Sequence, residues 1–255
     1  MIPHRTAGST FRLGRALRAG TRLLACALAL HASAAIERDG VVLPFKEVRV
    51  SAAVPGTLNT VLVKEGDTVE AAQPLAQMEA KQQQLEVDRL TKILEKRRFD
   101  FDGLDALLKD SMTSKDQAMQ ARIELEIAEL DQRRAQAELE KRTLRSPLAG
   151  LVVSVRFESG EWVEPGAVVA EVVDIRSVYA QLLLTAEEAG AVRLGLDVEL
   201  TFPAMPGFTA RGKVDFIDPR VDPSSGLQRV KVLVGNGDGA IRPGLQCVAR
   251  LPAAP

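Results

Sequence analysis

Beyond its first 35 residues the chain has no histidine and a single cysteine, Cys247. His4, His31 and Cys26 all fall inside that N-terminal stretch. Their absence elsewhere excludes serine–histidine triads, cysteine–histidine dyads and histidine-ligated zinc, and a lone thiol excludes an intrachain disulfide. Methionine is scarce as well, five in 255 residues, which argues against a soft-metal site. Catalysis by carboxylates or lysine remains open, and most familiar enzyme classes do not. No apolar run reaches membrane-spanning length. The formal charge of −1 hides an asymmetry. Residues 1–35 hold five arginines and no acid, so the remainder has 33−5=28 bases against 34 acids, a net of −6. An acidic chain of that kind has no electrostatic footprint for nucleic acid.

The N-terminal stretch has the order of an export leader. Arginines run to Arg22, Leu23 to Leu30 is unbroken apolar sequence, and Ala32, Ser33, Ala34 and Ala35 are small. That order predicts a cleaved signal over residues 1–35, cut after Ala34 or Ala35. Leu23-Leu24-Ala25-Cys26 also resembles a lipoprotein cleavage box, but cutting there would leave most of the apolar run on the wrong side. The mature chain is expected in an oxidising, extracytoplasmic compartment.

One unit occurs twice. Gly56, Gly66 and Val69 recur as Gly150, Gly160 and Val163, each pair 94 residues apart. In each copy a glycine opens an alternating strand, a glycine followed by an acid makes a turn, and an apolar strand closes the unit (Leu75 to Met78; Val168 to Val173). Three short strands bury too little apolar surface alone, so the copies are expected to pack face to face as one small sandwich.

Residues 80–145 lie between the copies. They hold no proline, one glycine (Gly103), and many strong helix formers. Val87, Leu90, Leu94, Arg97, Phe101, Leu104 and Leu108 follow steps of three and four, as do Ile123, Ile127, Leu130, Arg134, Ala137, Lys141 and Leu144, which predicts a heptad seam on each arm, broken by Arg97, Arg134 and Lys141. A second row runs through Ala118, Ala121, Leu125, Ala128, Ala135 and Leu139. Two apolar rows exceed what one partner helix needs, so one is expected on the sister arm and the other on a neighbouring subunit. The arms must return to one base and be nearly equal, which puts the turn near residue 112, with Thr113 or Ser114 as N-cap. Asp102-Gly103 is the better local turn signal, but a turn there would leave the longer arm without a partner.

Alternation returns after Asp174. Val198, Leu200 and Phe202, then Val214 and Phe216, then Val230, Val232 and Val234 alternate with polar residues between Pro, Gly, Asn and Asp clusters. Thr185 with Glu188 forms a capping box for a short helix that Gly195 ends. Short strands at regular intervals predict a small antiparallel β-barrel. The chain thus reads as α+β: a first half-sandwich over 41–79, a helical hairpin over 80–145, a second half over 146–174 and a barrel over 175–252.

This order of parts resembles the periplasmic adaptor subunits of bacterial tripartite efflux systems, the membrane fusion proteins of the HlyD-like family. Their split sandwich, a barrel-sandwich hybrid, is lipoyl-like. The motifs that carry the likeness are Arg145-Ser146-Pro147-Leu148-Ala149-Gly150, Gly212-Lys213-Val214, Val221-Asp222 with Val230-Lys231-Val232, and Arg242-Pro243-Gly244-Leu245. The resemblance implies a ring-forming homo-oligomer in the periplasm that links an inner-membrane transporter to an outer-membrane channel, without enzymatic activity, cofactor or metal. Many members that serve resistance-nodulation-division (RND) pumps carry Arg, Leu and Ser at the tip, spaced i, i+4, i+11. Leu107 and Ser114 stand on the last two positions here, and Gly103 on the first. The resemblance places channel docking at the tip, on Leu107, Leu108, Asp110, Ser111, Met112, Thr113 and Ser114. The sequence stops just after the barrel, so the transporter contact is expected on the barrel, or the transporter is of another class such as an ABC exporter. The competing reading is a lipoyl or biotin carrier, suggested by Met78-Glu79-Ala80-Lys81. Carriers hold that lysine in a tight turn between contiguous halves, whereas Lys81 opens a helix and 66 residues separate the halves here.

Overall fold

The computed structural model describes residues 35–252. The expected leader and Cys26 lie outside the described residues, save Ala35, which opens the first strand. In chain order come β1 (Ala35–Ser51), β2 (Gly56–Val61), β3 (Thr68–Val69) and β4 (Pro74–Met78), then the helices α1 (Lys81–Lys109) and α2 (Lys115–Glu140). Next are β5 (Thr143–Arg145), β6 (Gly150–Val155), β7 (Trp162–Val163) and β8 (Val168–Thr185). A short helix α3 (Ala186–Ala191) precedes β9 (Asp197–Thr201), β10 (Thr209–Val221), β11 (Leu227–Gly235) and β12 (Gln246–Pro252).

The sandwich is built from the repeat by strand exchange. One sheet has the order β5-β4-β2-β7, and the other contains β1-β8-β6-β3 through the sandwich halves of β1 and β8. A shift of 94 residues carries the first sheet onto the second strand by strand. Gly56 pairs with Val163 and Thr57 with Trp162, while Gly150 pairs with Val69 and Leu151 with Thr68. The turn bonds repeat too: Gly160 N–H donates to Leu58 O at 2.7 Å, and Gly66 N–H to Val152 O at 2.9 Å. Each copy therefore gives strands to both sheets, and neither sheet forms without both copies. The shared core contains Leu58, Val69, Leu75, Ala76, Val152, Val163, Val169 and Val172, all about 1% exposed or less. One conformational position differs between the copies: Gly166 has φ of 86°, and its counterpart Ala72 is forced to 65°.

The barrel closes with six strands in the order β1-β12-β9-β10-β11-β8, β1 pairing back onto β8. Its core includes Leu182, Leu184, Leu200, Val230, Val232, Ile241 and Cys247, all at most 1% exposed, and Ala189 and Val192 from α3 pack on it. The sequence reading starts the barrel at residue 175. The structure adds Ala35–Pro44 from β1, which completes the wall. Charged Glu37 and Arg38 on this piece are answered on neighbouring elements: Arg38 pairs with Glu188 of α3, and Glu37 with Arg250 at 3.1 Å. β8 likewise runs unbroken from sandwich to barrel. Asp174 in its middle reads as a breaker, yet it is buried and accepts from Arg176 Nε at 3.0 Å and Nη2 at 2.7 Å.

The hairpin is two antiparallel helices, and Gly103 lies inside α1 rather than at a turn. Ala118, Ala121, Ala128 and Ala135 are the buried residues of α2, and Leu125 is half-buried. These face α1, whose inner row runs through Val87, Leu90, Leu94, Phe101, Leu104 and Leu108. Small side chains on one arm admit large ones from the other. Arg97 in the seam bonds Glu124 at 2.7 Å, and Arg98 bonds Glu129 at 3.0 Å, so the two arms are held in one register.

Two predictions follow from backbone geometry and buried charge. Gly103→Ala meets no atom within 4 Å, and Ala72→Gly relieves a left-handed residue. These opposite exchanges should each raise stability by about 0.5–1 kcal/mol in denaturant titration. Asp218 is buried beneath Arg220 and Arg229, and its carboxyl is held well below the usual range, chiefly by the Arg220 guanidinium; Arg176 does the same for Asp174. The unfolded chain therefore binds more protons than the native one once pH drops to the ordinary aspartate value of 3.8. Both contributions are present at neutral pH and are lost in acid. The melting temperature should fall below about pH 4, and Asp218→Asn should flatten part of that slope while lowering stability at pH 7.

Candidate docking site at the hairpin tip

The tip stands at the far end of the hairpin from the sandwich. The base is tied by Glu79 N–H to Thr57 O at 2.9 Å and by the Arg142 guanidinium to Pro55 O at 3.0 Å. The 29 residues of α1 carry the tip roughly 40 Å from there at 1.5 Å per residue.

The turn is made by two caps back to back. At the end of α1, Met112 N–H donates to Leu107 O at 2.7 Å and Ser111 N–H to Leu108 O at 3.0 Å, the paired bonds of a Schellman motif. Ser111 takes the left-handed position usually given to glycine, at φ 58°. At the start of α2, Ser114 Oγ accepts from Gln117 N–H at 3.2 Å, and the Gln117 side chain accepts from Ser114 N–H. Thr113 Oγ1 adds a 2.6 Å bond to the same Gln117 side chain. The reversal thus occurs without glycine or proline, and its shape is over-determined by hydrogen bonds.

The structure divides the seven expected residues. Met112 is 74% exposed and Leu107 42%, so both offer apolar surface outward. Asp110, Ser111 and Ser114 are exposed on the turn, and Thr113 is half-buried. Leu108 instead turns into the seam below Leu104 and supports the tip from inside. Gln117 was not among the expected residues, although Ser114 with a glutamine three positions on is a legible capping box. Charge around the turn is mostly negative: Asp102, Asp105, Asp110 and Asp116 stand against Lys109 and Lys115. Lys109 bonds Asp105 at 2.7 Å, which holds its ammonium above the ordinary lysine range.

A further apolar row lies along the outer side of α2: Met119, Ile123, Ile127 and Leu130 are 41–58% exposed. On α1, Leu85, Ile93, Phe99 and Leu107 are exposed. The ion pairs place Glu124 beside Arg97 and Glu129 beside Arg98, so Ile123–Leu130 stand at the height of Ile93–Phe99. The heptad row Ile123, Ile127 and Leu130, expected as the seam of this arm, therefore lies outside it, and the alanine row fills the seam instead, because its small side chains let the two helices approach. Among the described residues no group of three or more His, Cys, Asp or Glu could hold a metal ion, and no helix is long and apolar enough to cross a membrane. Cys247 is fully buried, and burial pushes its thiol up to about 11. It is an inert core residue.

Residues 46–174 match the family model of the CzcB-like barrel-sandwich hybrid domain, and residues 178–255 match that of the CusB-like beta-barrel domain. The chain is 25% identical over 219 residues to the cation efflux system protein CzcB of Alcaligenes sp. strain CT14, covering 79% of this chain and 42% of that protein. It is 22% identical over 204 residues to an uncharacterized protein of Haemophilus influenzae, covering 80% and 53%. The chain thus spans about half, or less, of the length of these relatives. Among solved structures it is similar to a MacA–MexA chimeric protein carrying the Pseudomonas aeruginosa MexA α-hairpin domain, with a TM-score of 0.76, 20% identity and coverage of 86% and 78%. It is also similar to the membrane fusion protein Spr0693 of Streptococcus pneumoniae R6, with a TM-score of 0.71, 20% identity and coverage of 86% and 100%. With the CzcB-like model covering half of the sequence, and sandwich, hairpin and barrel in the family's order, the chain belongs to the membrane fusion proteins, the periplasmic adaptor family of efflux systems.

Proposed function

We propose that this protein is a non-catalytic adaptor of an efflux system, which joins an inner-membrane transporter of the RND type to an outer-membrane channel. It works in the periplasm. Copies stand side by side in a ring, with hairpins as a tube, tips against the channel and barrels toward the transporter. The RND assignment rests on the match of residues 178–255 to the CusB-like barrel model and on the relationship to a cation efflux protein.

The observation that carries the reading is the pair of unpartnered apolar rows on opposite outer sides of one hairpin, at matched heights. A lone hairpin in water has no use for Ile123, Ile127 and Leu130 facing solvent. A parallel neighbour brings its Ile93 and Phe99 to the same levels, and a row on each side lets the contact repeat from copy to copy. The tip supports the docking role by its shape. It presents Leu107 and Met112 on a turn whose backbone bonds are satisfied internally, so its side chains are free to pack against a partner.

Two measurements test this. Ile123→Glu with Ile127→Glu should leave the monomer folded by circular dichroism and abolish higher oligomers in analytical ultracentrifugation at concentrations where the parent assembles; equal assembly would count against the lateral contact. Leu107→Arg, and separately Met112→Arg, should reduce export of transporter substrates by at least about tenfold, the effect of losing 1.4 kcal/mol at a contact, while oligomer distribution and melting temperature stay unchanged. Unaltered export would remove the tip from the docking surface.

A further inference from the structure

The sandwich and the barrel share two elements, β1 and β8, which run side by side through both. Their ladder slips twice, once between Val50 and Ser51 inside the sandwich and once between Pro44 and Lys46. Pro44 pairs with Val178 and Lys46 with Asp174, so Phe45 alone faces Ile175, Arg176 and Ser177. This mismatch stands at the border between the two cores. Such a bulge leaves backbone groups out of the ladder and concentrates bending.

The loop between β11 and β12 occupies that border. Asn236 is 3% exposed, and all of its polar groups are used. Its side-chain amide donates to Ile175 O and to Ile241 O, both at 2.8 Å, and its carbonyl accepts from Ile241 N–H at 2.9 Å. Its own N–H donates to Arg176 O at 2.9 Å. One side chain and its backbone thus engage Ile175 and Arg176, two of the three residues of β8 that the β1 ladder skips, and fasten the barrel loop against them. On one side of the ribbon Phe45 packs on Tyr179, ring centres 5.6 Å apart. Elsewhere at the border an open cleft of about 540 Å³ lies between Leu151, Val153 and Val173 of the sandwich and Gly239, Arg242 and Pro243 of the barrel loop. Pro44 and Ile175 form part of its lining. The joint therefore has an interrupted ladder, a clasp and free space at one place.

We propose that Phe45 and Ile175–Arg176 form the joint between sandwich and barrel, that Asn236 is the positioning residue that holds this joint at its open angle in the free chain, and that release of Asn236 lets the two bodies pivot there and close the cleft. The pivot gives the molecule one place to bend between two rigid bodies, without loss of either core. It stands independently of the export reading.

Pulsed electron–electron resonance on the isolated mature chain tests it, with spin labels at Lys64→Cys in the sandwich and Arg193→Cys in the barrel. Both positions are exposed, and Cys247 is fully buried and does not label. The parent should give a single narrow distance distribution. Asn236→Ala should widen it by about twofold or more, as expected for a hinge set free, with the strand signal in circular dichroism retained. Adding Val153→Trp, which fills the cleft, should restore a narrow distribution in the Asn236→Ala background. If Asn236→Ala does not fold, Asn236→Asp keeps the acceptor for Ile241 N–H, loses both side-chain donations, and carries the same expectation. A broad distribution in the parent, an unchanged width in a folded Asn236 variant, or continued breadth after Val153→Trp would overturn the proposal.

Discussion

The exchange of strands between the two copies of the repeat is the constraint on which the rest of the molecule depends. Gly56 lies against Val163 and Gly150 against Val69, so each half completes the other's sheet. Residues separated by nearly a hundred positions must meet before either sheet has a core. Loop-closure entropy grows only slowly with loop length, so the cost of the intervening insertion is modest. An antiparallel hairpin that folds back on itself lowers it further, because its arms deliver both ends to one place. The sandwich thus serves as a clamp that fixes the root of the stalk.

The stalk extends that logic outward. Alanines at 118, 121, 128 and 135 let the arms approach closely, and the Arg97–Glu124 and Arg98–Glu129 pairs choose one register among several that an apolar seam alone would permit. The larger apolar residues of α2 are thereby left on the outside. The proposed role, a spacer that assembles with copies of itself, would use this division: inner contacts that make a stiff rod, and outer contacts left for neighbours.

Rigidity is treated differently at the other end. β1 and β8 pass from one core to the next, so the barrel is held by a two-stranded ribbon rather than by a loose linker. Polar side chains are buried where this ribbon changes body, and they are satisfied there: Asp174 by Arg176, Asn236 by three backbone groups. Buried polar groups of this kind contribute little net stability, but they select one arrangement over its neighbours.

By itself the sequence determined the repeat, the 3.5-residue rows of the hairpin, the position of its turn and the presence of a barrel. Each of these is written in local spacing or in the need for two arms to return to one base. It also carried both apolar rows of α2, but the heptad spacing marked Ile123–Leu130 as the seam and the structure seats the alanines there, since periodicity places residues on a face but does not name the partner of that face. Tertiary structure alone decided that the alanine row is the seam, that Leu108 supports the tip from within, and that Ala35–Pro44 belongs to the barrel wall. Those outcomes depend on side-chain size across a contact and on charges such as Arg38 being answered by Glu188, which lies 150 residues away. No local pattern encodes a partner at that distance, and only the closed wall of the barrel brings the two together.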